Sequence, residues 1–368
     1  MRIIYVYPTL ATWGGVERIL IEKMNLLARE EGYDIYALTY NQGSHQVPYP
    51  LDARVHHIDL QVRMHAKYQY RGLRRLWEGW RRKRWLNQRM KQRLDELSPD
   101  VIVTTTSGEL SLLHRLKGGA RLVVESHGGY DHLIDYPKMT WAHRWDIRSR
   151  YRLMRKADAI VSLTERDAQQ WREGYSRIWV IPNVVHLNPS GIYSKVDQKR
   201  ILFVGRLAEQ KGIPELLAVW RIVYGQHADW ELHIYGEGDH ERLQQSAEGV
   251  KAFPPVAAIF SKYCECSMLV LTSRWEPFGL VIPVAMSCGL PVVSFDCDGP
   301  ASIITDGEDG FLIKDRSVER LANRVCQLIE DMDMRRRMGE AAIRSSQRFA
   351  AAHVMPKWKE LFESIIRA

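Results

Sequence analysis

Apolar and polar residues alternate along this chain in blocks, and the blocks switch between two periods. Short unbroken apolar runs recur at Arg2-Ile3-Ile4-Tyr5-Val6-Tyr7, Tyr33 to Tyr40, Val101-Ile102-Val103, Leu122-Val123-Val124, Ala159-Ile160-Val161-Ser162-Leu163 and Trp179-Val180-Ile181-Pro182-Asn183. Such runs predict strands buried on both faces of a parallel sheet. Between the first two, Val16, Ile19, Leu20, Met24 and Leu27 recur at helical spacing, and Gly32 is placed to stop that helix. Thr164-Glu165 reads as a helix cap with an acid in the first turn.

The scheme then restarts. A polar stretch from His186 to Lys199 reads as a linker. Strands are expected at Ile201 to Val204, Trp230 to Tyr235, Met268 to Leu271 and Val292 to Phe295, with a helix over Ile213 to Val223 and a turn at Asp306 to Gly310. Met355, Trp358, Leu361, Phe362 and Ile365 mark an amphipathic final helix. Strands alternating with helices specify an α/β chain with doubly wound sheets.

Composition fits that picture. A chain of 368 residues is too long for one ordinary core. The first residues enter a strand directly, so no signal peptide is expected, and no apolar run reaches the roughly 18 residues that a membrane span needs. Five cysteines without framework spacing, including Cys264-Glu265-Cys266, read as free thiols of a reducing compartment and not as a zinc site.

Charge changes the picture locally. The net charge is +8, yet the segment from Arg63 to Arg93 holds twelve Lys or Arg against the single acid Glu78. The remainder of the chain is slightly acidic. Within the basic segment, Arg71, Arg74, Arg75, Arg81, Arg82, Lys83 and Arg84 interleave with Trp77, Trp80 and Trp85, and Leu73, Leu76, Trp77 and Trp80 share one helical face. Two readings stand. The helix lies on an anionic membrane surface, or its apolar face packs on its own domain. Nucleic acid is not expected, because no nucleic-acid motif accompanies the charge.

Candidate chemistry sits where strands end. Gly14-Gly15 either permits a tight turn or reaches over a cleft, and the Gly-x-Gly-x-x-Gly dinucleotide fingerprint is not present there. Polar loops are expected at Thr104 to Gly108 and at Glu125-Ser126-His127-Gly128-Gly129, with His127 as the candidate histidine. Arg206 and Lys211 flank one strand-to-helix loop with Gly205 and Gly212, a setting for a pyrophosphate or simply two surface cations. Glu276 and Gly279 fall in the turn after Met268 to Leu271.

In order, Phe203-Val204-Gly205-Arg206 with Lys211-Gly212, Tyr235-Gly236-Glu237-Gly238, Ser273-Arg274-Trp275-Glu276-Pro277-Phe278-Gly279-Leu280 and Ala285-Met286-Ser287-Cys288-Gly289-Leu290-Pro291-Val292-Val293 resemble the nucleotide-sugar domain of glycosyltransferase family 4. The first half matches more loosely, through Gly14-Gly15, Glu125-Ser126-His127 and Ile181-Pro182-Asn183. The resemblance implies the GT-B fold: two facing doubly wound, Rossmann-like domains that open and close around a cleft. The boundaries expected are 1–185 with the helix 353–368 crossing back to it, and 186–352 for the donor domain.

The resemblance also implies roles. Catalysis would rest on His127, Glu276, Arg206 and Lys211. Arg206 and Lys211 would hold the donor pyrophosphate and stabilise the leaving diphosphate, so no metal or other cofactor is expected. Glu276 would face the donor sugar, and His127 the reacting carbon. Gly14, Gly15, Gly205, Gly236, Pro277, Phe278, Gly279 and Leu280 would complete the donor site. The implied reaction is retaining transfer from a UDP- or GDP-sugar. The basic helix adds the expectation of an acceptor at a membrane surface, a glycan or lipid-linked glycan of a bacterial envelope, capsule or O-antigen, and of a cytoplasmic enzyme peripheral on the inner face of the membrane.

Two departures stand out. The family places two glutamates with seven residues between them, and the second accepts the ribose hydroxyls. Here that position is Val284. Losing both bonds costs on the order of 2–4 kcal/mol. The alternative is therefore a GT-B-like binding partner with impaired or lost catalysis. The second departure is Phe253-Pro254-Pro255, where the family seats the nucleotide base.

Overall fold

In the computed structural model, residues 1–12, 14–106, 109–128, 141–256 and 259–367 are described. The chain divides into two compact units, Met1–Val184 with Met355–Ala368, and Val185–Val354.

The first unit holds a parallel sheet of seven strands: β1 (Arg2–Tyr7), β2 (Asp34–Thr39), β3 (His56–Asp59), β4 (Val101–Thr105), β5 (Arg121–Ser126), β6 (Ala159–Ser162) and β7 (Ile178–Val180). Their order is β3-β2-β1-β4-β5-β6-β7. The sheet grows outward in both directions from the β1–β4 pair, where Ile4 lies opposite Ile102 and Tyr5 opposite Val103. Apolar runs on these strands are continuous because helices cover both faces. Helix α1 (Gly15–Ala28) buries Ile19, Leu20, Met24 and Leu27. It stops at Ala28, and Gly32, at φ +86°, forms the turn beyond.

The β5 strand runs further than its apolar residues predict. Glu125 pairs with Thr105 and with Val161, and Ser126 with Ser162. Backbone ladders are indifferent to side-chain polarity, so the strand continues wherever the buried polar groups find partners. Thr104 and Thr105 belong to β4 for the same reason, and Thr104 Oγ1 donates to Val6 O at 3.0 Å.

Six parallel strands form the second sheet: β8 (Arg200–Val204), β9 (Glu231–Tyr235), β10 (Val250–Phe253), β11 (Met268–Leu271), β12 (Val292–Phe295) and β13 (Gly310–Ile313). The order is β10-β9-β8-β11-β12-β13. The stretch from His186 to Lys199 carries no helix or strand, but it is not a loose tether. Ser194 N donates to Cys288 O at 2.9 Å, its Oγ to Cys266 O at 2.6 Å, and Arg335 Nε to Val196 O at 3.0 Å. Its polar groups therefore hold it along the second unit. The last helix is Ala351–Arg367, with Met355 onward in the first unit.

Candidate active site

In the second sheet the strand order reverses between β8 and β11. Loops leaving the carboxyl ends of two such strands diverge and open a crevice. The loop after β8 runs to Gly212 and enters helix α2 (Ile213–Gln226), and the loop after β11 enters helix α3 (Val281–Ser287).

Close backbone approach dictates the glycines. A Cβ on Gly236 would stand 1.8 Å from Gly205 O, and one on Gly212, at φ +64°, 2.0 Å from Thr272 O. Thr272 Oγ1 donates to Gly212 O at 2.9 Å, Gln210 Nε2 to Trp275 O at 3.1 Å, and Arg274 N to Gln210 O at 2.8 Å. Arg274 Nε also donates to Glu215 Oε1 at 2.9 Å. These bonds staple the two loops together.

The staple brings Lys211 to Glu276. Lys211 Nζ is ion-paired with Glu276 Oε2, and the two side chains are 15% and 9% exposed. Ser273 Oγ lies 3.4 Å from the same oxygen. The other oxygen, Oε1, takes no hydrogen bond among the described residues. An ammonium has three donors, so Lys211 keeps donors for an anion while paired. Arg206 is exposed and forms no ion pair among the described residues. Gly279 sits at φ +83°, and Phe278 is buried edge-on to Phe349 at 5.6 Å. Pro277 and Leu280 flank them half-buried.

Val284 lies on α3, 8% exposed, and presents methyl groups where a carboxylate was in question. Phe253 ends β10 and stacks on Tyr235 at 4.8 Å. Asp296 and Asp298 stand half-buried in Asp-x-Asp spacing just after β12.

The first unit contributes His127, next to the end of β5. Its Nε2 lies 3.1 Å from Glu125 Oε2. Lys23, from α1, donates to Glu125 Oε1 at 2.5 Å. Both members of this ion pair are 2% exposed. The Lys23 ammonium stands 3.9 Å from the Trp358 ring centre and 5.4 Å from that of Tyr5. Burial opposes the Glu125 charge, but Lys23 and then His127 outweigh it and hold the carboxyl below its ordinary value. Burial pulls the Lys23 ammonium below its usual value, and Glu125 opposes that pull. Sequence reasoning reached His127 and missed Lys23 and Trp358, which carry no local signal because they are distant in the chain.

The start of α1 is less bare than the Gly-Gly pair implies. A Cβ on Gly14 would stand 2.0 Å from Glu17 Oε2, so that carboxylate bends back over the first turn. Tyr7 OH donates to Glu17 Oε1 at 3.1 Å, and burial followed by Glu17 raises the Tyr7 phenol well above its ordinary value. Gly15 itself is exposed.

A second surface lies on the basic helix, Gly72–Leu97. Leu86, Met90 and Leu94 dock into the core of the first unit. On the first turns, Leu73 is 84%, Leu76 69%, Trp77 54% and Trp80 60% exposed. Their shared face thus covers nothing among the described residues. Arg71, Arg74, Arg75, Lys83, Arg84 and Trp85 are exposed with them. Arg81 stacks on Trp77 and Trp85 at 4.9 and 4.7 Å and pairs with Glu78 at 2.8 Å. Arg82 differs. It turns inward, donates to Val62 O at 2.7 Å and is 12% exposed, so it is a structural clasp.

Comparisons with known proteins bear on both units. The profile of Glycosyltransferase Family 4 matches residues 13–188, and that of Glycosyl transferases group 1 matches residues 198–331. The chain is 33% identical over 225 residues to an exopolysaccharide phosphotransferase of Streptomyces coelicolor, covering 57% of this chain and 24% of that protein. It is 30% identical over 224 residues to the amylovoran biosynthesis glycosyltransferase AmsD of Erwinia amylovora, covering 56% of this chain and 62% of that protein. The chain thus spans a quarter to under two thirds of these relatives' lengths. A mutant of Staphylococcus aureus TarM, solved with fondaparinux, alpha-GlcNAc-glycerol and UDP, superposes with a TM-score of 0.76 at 14% identity, covering 98% of this chain and 99% of that one. At that identity the likeness concerns the fold.

Proposed function

Because the chain belongs to the glycosyltransferases described by these two profiles and has their GT-B fold, we propose that it moves a sugar from a nucleotide-diphosphate donor, with retention, onto a glycan or lipid-linked glycan. The product would be a surface polysaccharide. The observation that carries this reading is the stapled pair of loops at the β8–β11 reversal, which sets Lys211 against Glu276 beside Gly205, Arg206 and Gly279. Lys211 and Arg206 would hold the diphosphate and stabilise its charge as it leaves. The free oxygen of Glu276 would accept a hydroxyl of the donor sugar. In a retaining reaction the acceptor enters on the face that the diphosphate leaves, and the departing phosphate takes the acceptor's proton. His127 would border the reacting carbon.

Val284 favours a second reading, a protein of this fold that binds but does not turn over its donor. Release of nucleoside diphosphate from a UDP- or GDP-sugar is expected of the first and not of the second, and calorimetry with UDP, GDP, ADP and CMP tests the binding that both require. The native chain is expected to bind one nucleotide at micromolar level. Val284→Glu is expected to tighten that binding by about tenfold, the worth of roughly one net hydrogen bond to a charged group. Failure of both proteins to bind any of the four would sink both readings.

The acceptor side rests on the basic helix. Among the described residues no helix is long and apolar enough to cross a membrane. An uncovered face of Leu73, Leu76, Trp77 and Trp80 flanked by arginines matches an interfacial helix lying on anionic lipid. Each Lys or Arg near such a surface contributes about 1 kcal/mol. In this reading the enzyme would work peripherally on the inner face of the membrane. The protein is expected to float with phosphatidylglycerol vesicles at low salt and to stay down with phosphatidylcholine alone. Replacing Trp77 and Trp80 by serine is expected to reduce flotation at least tenfold. A native chain that ignores anionic vesicles would remove the membrane from this proposal.

A further inference from the structure

A lysine buried to 1% exposure requires a reason, and Lys23 has a specific one. It reaches from α1 to Glu125 Oε1 at 2.5 Å while Trp358 closes over the ammonium at 3.9 Å. An ion pair that only stabilised the sheet would need nothing further. Here the second carboxylate oxygen lies 3.1 Å from His127 Nε2. We propose that Glu125 and Lys23 are positioning residues for His127: they fix Nε2 as the ring nitrogen that carries the proton and leave Nδ1 to meet a hydroxyl of the donor sugar. The assignment of that hydroxyl rests on the transferase reading above.

The polarity of donation runs one way through the cluster. An ammonium can only donate, so Oε1 must accept. An ionised carboxylate can only accept, so the nitrogen facing Oε2 must be N–H. A protonated Glu125 could donate instead and reverse the ring, and Lys23 prevents that by holding the carboxylate charged. Nδ1 has no hydrogen-bond partner among the described residues. Among the described residues, the charged and titratable groups facing Glu125 are Lys23 from α1, Tyr5 from β1 and His127 itself. The Tyr5 hydroxyl is buried without a hydrogen-bond partner among the described residues and does not compete for either oxygen. Trp358 makes the final helix part of this arrangement, because its ring is what replaces water around the cation.

The test is ring nitrogen NMR on full-length protein labelled with 15N-histidine, at a pH where the ring is neutral, with His127→Gln to assign the signal. Native His127 is expected to carry its proton on Nε2. In Glu125→Gln the amide oxygen turns to Lys23 and the NH2 faces His127, so the proton is expected to move to Nδ1. The turnover of whichever of UDP-glucose, UDP-N-acetylglucosamine or GDP-mannose the native protein cleaves is expected to fall on the order of 10²-fold or more, with KM changed less than threefold. A merely structural role would lower Tm and leave the tautomer alone. A native ring protonated on Nδ1 overturns the inference even if Glu125→Gln does not fold. Absence of nucleotide binding overturns the transferase reading instead, and the NMR result still decides this one.

Discussion

Lys211→Ala is expected to lower sugar transfer on the order of 10³-fold, the scale on which removal of one preorganised donor from a developing charge acts. The ammonium sits in a partly desolvated pocket, held by Glu276 and by a loop whose carbonyls are taken by Thr272. In the proposed reaction, charge builds on the diphosphate as the sugar bond breaks, and a fixed cation there needs no reorganisation. Most of the loss should appear in kcat, because the bound donor already carries charge and the leaving group gains more. Lys211→Arg is expected to recover only part of the rate, since a planar fork does not reproduce a compact point charge. Release of nucleoside diphosphate, with the nucleotide found by calorimetry, is the assay. Transfer within tenfold of native would show that this cation is not the one that stabilises the leaving group. The double variant Lys211→Met with Glu276→Gln guards against misreading, because the single change leaves a buried carboxylate unpaired.

Lys23→Met is expected to destabilise the first unit by about 3–5 kcal/mol at pH 7, the usual result of stranding one partner of a buried ion pair. Methionine is unbranched and one heavy atom shorter than lysine, so lost packing is a minor part. The pH dependence identifies the cause. In the native chain Glu125 is held below its ordinary value, so its contribution is present above the unfolded-state pKa and is lost as pH falls through the lower folded value. In the variant, burial acts without Lys23 and raises the folded value above the unfolded one. That carboxyl then favours folding at low pH and opposes it as pH rises. The gap between native and variant should therefore narrow from pH 7 towards about pH 4, near the ordinary glutamate value. Urea unfolding across that range measures it. A gap that is constant with pH would mean that the cost is packing and not the stranded charge.

The strands were the most legible part of this protein. Runs such as Ile3 to Val6 and Met268 to Leu271 announce burial on both faces by their composition alone. The second-unit motifs were equally open, because Gly205, Lys211 and Glu276 lie in short stretches that a strand-to-helix loop needs. The end of β5 was less so. Glu125 and Ser126 read as loop because they are polar, and they are strand because their neighbours pair with them. The tilt of the basic helix could not be read either. Its Leu and Trp positions share a face, but a sequence does not say whether that face meets core or nothing. The docking of Leu86, Met90 and Leu94, about two to four turns beyond Trp80, decided it.

Local sequence determined which segments are strands, which turns carry glycine, and which loops hold cations and carboxylates. These depend on period, on φ and on nearest neighbours, all of which short stretches encode. Tertiary structure decided what those groups do to one another. Lys23, Glu125 and Trp358 are far apart in the chain, and only the parallel order β1-β4-β5, with α1 and the last helix beside it, closes them into one cluster. The same holds for Lys211 and Glu276, which meet because β8 and β11 are adjacent in the sheet. Burial is the physical reason: whether a charge is solvated, paired or stranded is a property of its packed surroundings, and the chain acquires those only on folding.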